Sequence, residues 1–143
     1  MSRFTPEDRA AIGVLADVLI PEAEGMPAAT AVGVTDALLD QVANLRADIV
    51  ADLLRVARNK RGEDPSTFLA RLKADDADGF SALALAVAGG YYLSPVVRER
   101  LGYSGPERRP VVPGDALDFE GLRLIDAVKA RGAIWRDPAH ERG

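Results

Sequence analysis

Apolar residues recur every three or four positions over most of this chain, which is the spacing of one buried face of an α-helix. The first such stripe predicts a helix from Thr5 to about Ile20, with the Thr5 hydroxyl as cap and Pro6 at the first helical position. A second helix is predicted from about Thr35, with Leu45 on its buried side, and a third follows it. No segment alternates apolar and polar residues for long enough to predict a strand. The pattern therefore predicts an all-α protein, a bundle of about six or seven helices.

The middle of the chain repeats the same start signals. Asp64 followed by Pro65 predicts a short helix, and an acidic turn around Asp76 predicts the N-terminus of the next one. That next helix, from about Ala77, is expected to be the central element, because its alanines permit close approach of neighbouring helices. Its expected buried residues are Phe80, Leu83, Ala84, Val87, Ala88 and Tyr91.

The chain changes character between residues 88 and 113, where two glycines, paired tyrosines and several prolines follow the apolar helix. Ser94 and Pro95 predict a new helix start, with the Ser94 oxygen accepting from an orphan backbone N–H. Gly102 predicts the end of that helix through a left-handed C-cap. Beyond it, prolines bias the backbone away from helix, so residues 103–114 are expected to form an extended arm.

Length indicates how these elements are organised. With 143 residues, the chain can bury roughly 70% of the surface that it exposes when unfolded. We therefore interpret residues 1–143 as a single helical domain, whose last helix ends at Gly132 and is followed by a tail of residues 133–143.

Composition narrows the chemistry of the chain. It has no cysteine, which excludes disulfides, thiolate nucleophiles, iron–sulfur clusters and attachment of a c-type haem. Its one histidine, His140, excludes a bis-histidine haem, and its net charge of −4 argues against nucleic acid as the main ligand. No run approaches the ~20 apolar residues of a membrane span, and the N-terminus lacks an apolar signal core. The chain is therefore expected to be soluble and cytoplasmic, with no cofactor or metal of its own.

Candidate binding residues are concentrated where the chain changes character. Tyrosine and arginine are the residue types most often found as interface anchors, and an arm with few internal hydrogen bonds would expose apolar groups on a monomer. The predicted partner interface consists of Tyr91, Tyr92, Pro95, Arg98, Tyr103, Arg108, Arg109, Val111 and Val112. No catalytic residue is predicted. Two alternatives are a stand-alone enzyme or small-ligand-binding domain that uses the same tyrosines and arginines, and a self-associating helical domain.

Two stretches resemble a known family. The segment LADVLIPEAEGMPAATAVGVTDALLDQV resembles the start of gluconate 2-dehydrogenase subunit 3 proteins, in which a helix ends at an Ile-Pro step and a Gly-Val step leads into a second helix. The later segment YYLSPVVRERLGYSG is similar to the region of that family with a Pro turn, a short helix and a Gly-Tyr-x-Gly motif. The matching positions are Ile20, Pro21, Pro27, Ala28, Gly33, Val34, Gly102, Tyr103 and Gly105.

The resemblance implies a function that the residues alone do not. In that family the protein is the small, non-catalytic subunit of a flavin dehydrogenase. The large subunit, of the glucose-methanol-choline oxidoreductase type, holds FAD and oxidises a sugar or polyol. Many members carry a twin-arginine signal before the first helix, whereas no such signal precedes Thr5 here. A cytoplasmic partner is therefore expected, and the alternative is a periplasmic complex reached by co-export with the partner.

Overall fold

The structure, a computed structural model, describes residues 3–60, 62–106 and 126–132. Contacts divide the chain into two units, residues 1–105 and residues 106–143, and each is described by itself. Within the described ranges the secondary structure is helical, apart from an isolated bridge between Ala23 and Met26. The all-α fold class is confirmed. The organisation of the chain as one domain stays a prediction.

Seven α-helices lie within the described residues. They are α1 (Pro6–Leu19), α2 (Ala37–Leu45), α3 (Val50–Asn59), α4 (Pro65–Asp75), α5 (Ala77–Leu93), α6 (Pro95–Arg100) and α7 (Asp126–Arg131). One-turn 3-10 helices, Thr30–Val32 and Ala47–Ile49, precede α2 and α3. Helix α7 belongs to the second unit and is followed by Gly132 at a φ of 74°, which confirms the predicted helix end there.

Side-chain caps set the starts of α1, α4 and α5. Thr5 Oγ1 accepts from the Asp8 N–H at 3.2 Å, and Asp8 Oδ2 accepts in return from the Thr5 N–H at 3.0 Å, which completes a capping box. Asp64 and Asp76 each accept a hydrogen bond of 3.0 Å from the backbone N–H three residues ahead. These three starts are confirmed as predicted, because they depend only on neighbouring residues.

Helix α2 begins near Thr35, as predicted, with Asp36 in the N-cap position before Ala37. The Asp36 side chain, however, makes no capping hydrogen bond. Gly33, at a φ of 75°, ends the preceding 3-10 helix, and its carbonyl accepts from the Asp36 N–H at 3.0 Å. The Arg9 guanidinium of α1 donates to the carbonyl oxygens of Thr35 and Asp36, so a residue far along the chain anchors this turn.

Helix α5 is the central element, as predicted: it packs against α1, α2, α3, α4 and α6. Leu83 and Val87 are fully buried, which confirms their place in the core. The buried face is nevertheless wider than expected, because helices pack on more than one side of α5. Phe80, Ala84 and Ala88 are only half-buried, whereas Ala82, Ala86 and Gly90 are buried.

Candidate partner-binding surface

One end of the first unit joins two stretches that are distant in sequence. Tyr91 Oη, near the end of α5, donates to the Pro27 carbonyl at 2.8 Å. The Arg100 guanidinium, at the end of α6, donates to the Gly25 carbonyl. The loop of residues 21–29 is therefore held against the α5–α6 corner by two side chains more than 60 residues away in sequence.

The Gly-Val step after this loop is also fixed against α5. Val34 is fully buried, and a Cβ added to Gly90 would lie 3.3 Å from Val34 Cγ1. That distance is tighter than ordinary contact, so glycine at position 90 permits the close approach of helix and turn. The loop of residues 21–29 and the turn at Val34 thus both pack against the C-terminal end of α5.

Helix α6 is closed by a complete C-terminal cap. Gly102 has a φ of 65°, its N–H donates to the Glu99 carbonyl at 3.0 Å, and the Tyr103 N–H donates to the Arg98 carbonyl at 2.9 Å. These two bonds are the Schellman pattern, and they confirm the predicted stop at Gly102. They also fix the direction in which the chain leaves the helix, and with it the backbone position of Tyr103.

Helix α6 starts at Pro95 as predicted, but the predicted capping bond from Ser94 is wrong. Ser94 occupies the N-cap position with a ψ of 126°, yet its side chain makes no capping hydrogen bond. Ser94 is buried at the corner between α5 and α6, and its N–H donates to the Tyr91 carbonyl at 3.1 Å. The extended backbone of Ser94 and the fixed φ of Pro95 therefore start this helix without help from the serine hydroxyl.

Tyr91 and Tyr92 have different places in the structure. Tyr91 is 4% exposed and lies in the core, whereas Tyr92 is 61% exposed. Tyr91 therefore does not itself offer a partner a contact surface, contrary to its predicted place in the interface. Its ring packs edge to face against Tyr92, with ring centroids 5.8 Å apart and planes at 82°, so it supports Tyr92 from beneath.

Tyr92 lines a hollow that three other residues complete. This hollow, called the tyrosine hollow below, has a volume of about 380 Å³ and is lined by Tyr92, Arg98, Leu101 and Tyr103. Leu101 and Tyr103 are 53% and 54% exposed. The structure thus brings together three residues of the predicted interface, namely Tyr92, Arg98 and Tyr103.

A second hollow lies on the other side of Tyr92, between α2 and α5. This α2–α5 hollow has a volume of about 300 Å³, and its walls are almost entirely apolar. Its lining residues are Val42, Leu45, Arg46, Leu85, Gly89, Tyr92 and Leu93. Because Tyr92 lines both hollows, they adjoin, and together they form a continuous, mainly apolar surface, called the apolar surface below. Its exposed large apolar side chains are Leu45, Leu85, Tyr92, Leu101 and Tyr103.

Sequence reasoning missed the α2–α5 half of this surface. Leu45 was expected on the buried side of α2, yet it is 70% exposed at the last position of that helix. Leu85 comes two residues after the buried Leu83, which places it about 200° around the helix and away from the core. The sequence alone could have shown that Leu85 is an apolar residue outside the buried face of α5. Only the packing of α2 against α5 shows that Leu45 and Leu85 line the same hollow.

The two arginines at this surface differ in their ion pairing. Arg46 Nε and Nη2 donate to the two carboxylate oxygens of Asp48 at 2.9 and 2.7 Å. These hydrogen bonds hold the pKa of Asp48 below its usual value. Arg98 Nη2 donates to the Leu93 carbonyl at 3.2 Å, and among the described residues no carboxylate forms an ion pair with Arg98.

The remaining predicted interface residues fall into two groups. Pro95 is exposed at the start of α6, next to the exposed Val96. Arg108, Arg109, Val111 and Val112, and with them most of the predicted arm, lie outside the described residues. Over the parts of the chain that the structure describes, no helix combines the length and apolar character needed to cross a membrane.

Comparison of the chain with protein-family models, curated proteins and solved structures gives no match. The arrangement of side chains at the apolar surface is suited to association, because it combines large exposed apolar side chains, two hollows and a guanidinium that one backbone carbonyl orients.

Proposed function

We propose that this chain is a small, non-catalytic subunit that binds and stabilises an FAD-dependent sugar or polyol oxidoreductase of the glucose-methanol-choline type. The single observation that supports this most is the continuous apolar surface centred on Tyr92, because three residues predicted from sequence to contact a partner line one hollow of it. The identity of the partner is what the family resemblance implies. The apolar surface supports the expectation that this chain acts by binding another protein.

Energetics favour a partner on this surface. Fully burying a large apolar side chain is worth about 1.5–3 kcal/mol relative to leaving it in water. Five such side chains are partly or largely exposed here, so covering them would contribute several kcal/mol before the costs of association. A continuous exposed apolar patch typically marks an interaction site, whereas single exposed leucines do not.

Contacts within the chain position parts of this surface before binding. Tyr92 rests on the buried Tyr91, whose hydroxyl is fixed by Pro27, and the backbone of Tyr103 is fixed by the cap at Gly102. Side chains and backbone that are ordered in the free protein lose less entropy on association. A surface positioned in this way suits a stabilising subunit, which must impose one conformation on its partner.

Co-purification tests the proposal. The tagged chain would be expressed in the cell that naturally makes it and purified under mild conditions, followed by an absorption spectrum and mass spectrometry of the eluted proteins. We expect a flavin spectrum and one flavoprotein in stoichiometric amount. A colourless eluate that contains the tagged chain alone, or with proteins that bind no flavin, would overturn the proposal.

A surface variant makes the result specific. Leu85→Glu places a charge in the α2–α5 hollow and should remove the flavoprotein from the eluate. Val14→Glu is the matched control, since Val14 is an exposed apolar residue of α1 that lines neither hollow. The flavoprotein should remain bound to the control variant.

A further inference from the structure

We infer that the part of the partner that covers this surface is an acidic amphipathic segment, with an apolar side chain in the α2–α5 hollow and a carboxylate that pairs with Arg98. This inference rests on the proposed function, because it specifies which chemistry of the partner subunit the surface recognises. It follows from the different character of the two hollows.

The α2–α5 hollow selects an apolar group. Its lining is aliphatic and aromatic except for Arg46, whose Nε and Nη2 already donate to Asp48. Away from Arg46, a polar group placed in this hollow would lose its hydration without gaining a hydrogen bond. Its volume of about 300 Å³ is at the lower end of small-molecule pockets, so it suits a side chain anchored on a segment.

Gly89 contributes to the depth of this hollow. A Cβ added at Gly89 would lie 3.5 Å from Val42 Cγ2, in ordinary van der Waals contact, so an alanine would fit and would take up part of the space. The hollow therefore depends on a residue whose replacement the helix itself would tolerate. This separates its role in binding from any role in folding.

The tyrosine hollow selects a carboxylate as well as an apolar contact. The Leu93 carbonyl accepts from one nitrogen of the Arg98 guanidinium, and within the described parts of the chain no hydrogen bond is formed by its other N–H groups, which can donate to a ligand. A planar guanidinium in a fixed orientation matches a carboxylate in two-point contact. Tyr92 and Leu101 line the same hollow and would shield that ion pair from water, which strengthens it.

Charge distribution favours an acidic partner segment over a second copy of this chain. The protein carries a net charge of −4, and Asp48, Asp52 and Asp78 line a third hollow that shares Arg46 and Leu85 with the α2–α5 hollow. No acidic residue lines the tyrosine hollow among the residues the structure describes, so a partner carboxylate is directed to Arg98. A second copy that presented the two hollows would supply no carboxylate from their linings, so Arg98 would lose hydration without gaining an ion pair. An acidic segment meets the opposite charge instead.

A peptide selection tests the inference directly. A displayed library of random 12-residue peptides would be selected on the immobilised purified chain, and the enriched peptides would be synthesised for affinity measurements by fluorescence anisotropy. We expect enriched sequences that combine a large apolar residue with Asp or Glu. Replacing that acid by its amide should weaken binding by about tenfold or more, the size expected for a hydrogen bond to a charged group.

Variants assign each part of the peptide to its hollow. Arg98→Ala should weaken binding as much as the acid-to-amide change in the peptide, and the two changes together should add little further. Leu85→Glu should prevent the large apolar residue of the peptide from entering the α2–α5 hollow and should therefore abolish peptide binding. Arg58→Ala is the matched control, because Arg58 is an exposed arginine of α3 that lines neither hollow and lies 3.8 Å from its only ion-pair partner among the described residues, Asp8. Circular dichroism of each variant would show that its helices are retained.

Each other outcome has a defined meaning. Enriched peptides without an acid, or with an acid whose contribution does not depend on Arg98, would overturn the inference. A dimer in sedimentation that Leu85→Glu dissociates would identify a second copy as the occupant and would also overturn it. Acidic amphipathic peptides that bind as described, together with a tagged chain that captures no flavoprotein, would remove the proposed function and leave the recognition chemistry in place. A flavoprotein complex that is insensitive to Arg98→Ala would overturn the inference about an acidic segment and would leave the proposed function in place.

Discussion

Tyr91 and Tyr92 are adjacent in the chain and in edge-to-face contact, with ring centroids 5.8 Å apart, yet the first is buried in the core and the second is mostly exposed. The Tyr91 hydroxyl donates a hydrogen bond of 2.8 Å to the carbonyl of Pro27, 64 residues away in sequence. One tyrosine therefore joins the loop of residues 21–29 to α5, and its neighbour presents a ring to solvent at the centre of the apolar surface. Adjacent residues therefore have opposite surroundings at this point, one in the core and one at the surface.

This division of roles gives the first prediction. Tyr91→Phe should lower the free energy of unfolding by about 0.5–1.5 kcal/mol, since it removes the hydrogen bond to Pro27 and keeps the ring. Tyr92→Phe should leave stability nearly unchanged. Urea denaturation of both variants checks this, and equal losses in the two would contradict the assignment of Tyr91 to the core.

A second prediction concerns the centre of the core. Leu83 is fully buried on α5, so Leu83→Ala should lower the free energy of unfolding by about 2–5 kcal/mol through lost burial and a residual cavity. Leu85→Ala, two residues along the same helix, removes an exposed side chain and should cost much less. Thermal melts of the two variants provide the comparison, and similar melting temperatures would show that the buried face of α5 is wrongly assigned.

Two glycines of α5 should respond to alanine in opposite directions. A Cβ at Gly79 would lie 2.5 Å from the capping carboxylate of Asp76 and 2.9 Å from the buried Val56, so Gly79→Ala should destabilise by about 1–3 kcal/mol. Gly89 has room, so Gly89→Ala should stabilise by up to about 1 kcal/mol through helix propensity. Unfolding measurements test both, and a stabilised Gly79→Ala variant would contradict the packing of α5 against α3.

Gly89→Ala also separates stability from binding. Because its methyl group would narrow the α2–α5 hollow, this variant should bind the partner more weakly while it unfolds at a higher temperature. Measuring the melting temperature and the partner affinity on the same preparation gives the result. Unchanged affinity would show that the hollow does not receive a partner side chain.

Acid should weaken the cap of α4. Asp64 accepts hydrogen bonds from the Thr67 N–H and hydroxyl, and these hold the pKa of Asp64 below its usual value. Since its pKa is lower in the folded state, its contribution to stability is present above the ordinary carboxyl range, near pH 4, and is lost as the pH falls through the folded value. Asp64→Asn keeps an N-cap acceptor and lacks this titration. Urea denaturation at a series of pH values should show a shallower acid loss for the variant, and identical profiles would contradict the role of this carboxylate.

Helix starts could be predicted well from sequence because caps are local. Thr5, Asp64 and Asp76 bond to backbone groups three residues away, so their neighbours contain all the information needed. Gly102 is a similar case, since its left-handed conformation closes the adjacent turn. Ser94 shows the limit of this reasoning: residue type and a following proline predicted a capping bond that its buried position at the α5–α6 corner does not use.

The candidate surface could be predicted only in part. Tyr92, Arg98 and Tyr103 attract attention by residue type, and one short helix brings them together. Leu45 and Leu85 are ordinary helical leucines in sequence, and their shared hollow arises from a contact between α2 and α5 some 40 residues apart. Such a contact depends on how helices cross, and a single sequence does not encode that crossing in any local pattern.

The measurement that tests the central claim most directly is the molar ratio of FAD to tagged chain after co-purification. The parent chain, the double variant Tyr92→Ala, Tyr103→Ala and the control Val14→Ala would be compared at equal loading, with circular dichroism to show that all three are folded. We expect a constant ratio of FAD to chain for the parent and the control, and a ratio reduced at least tenfold for the double variant, because two anchors of one surface are removed. An FAD ratio that is unchanged in the double variant, or no FAD with the parent chain, would contradict the account.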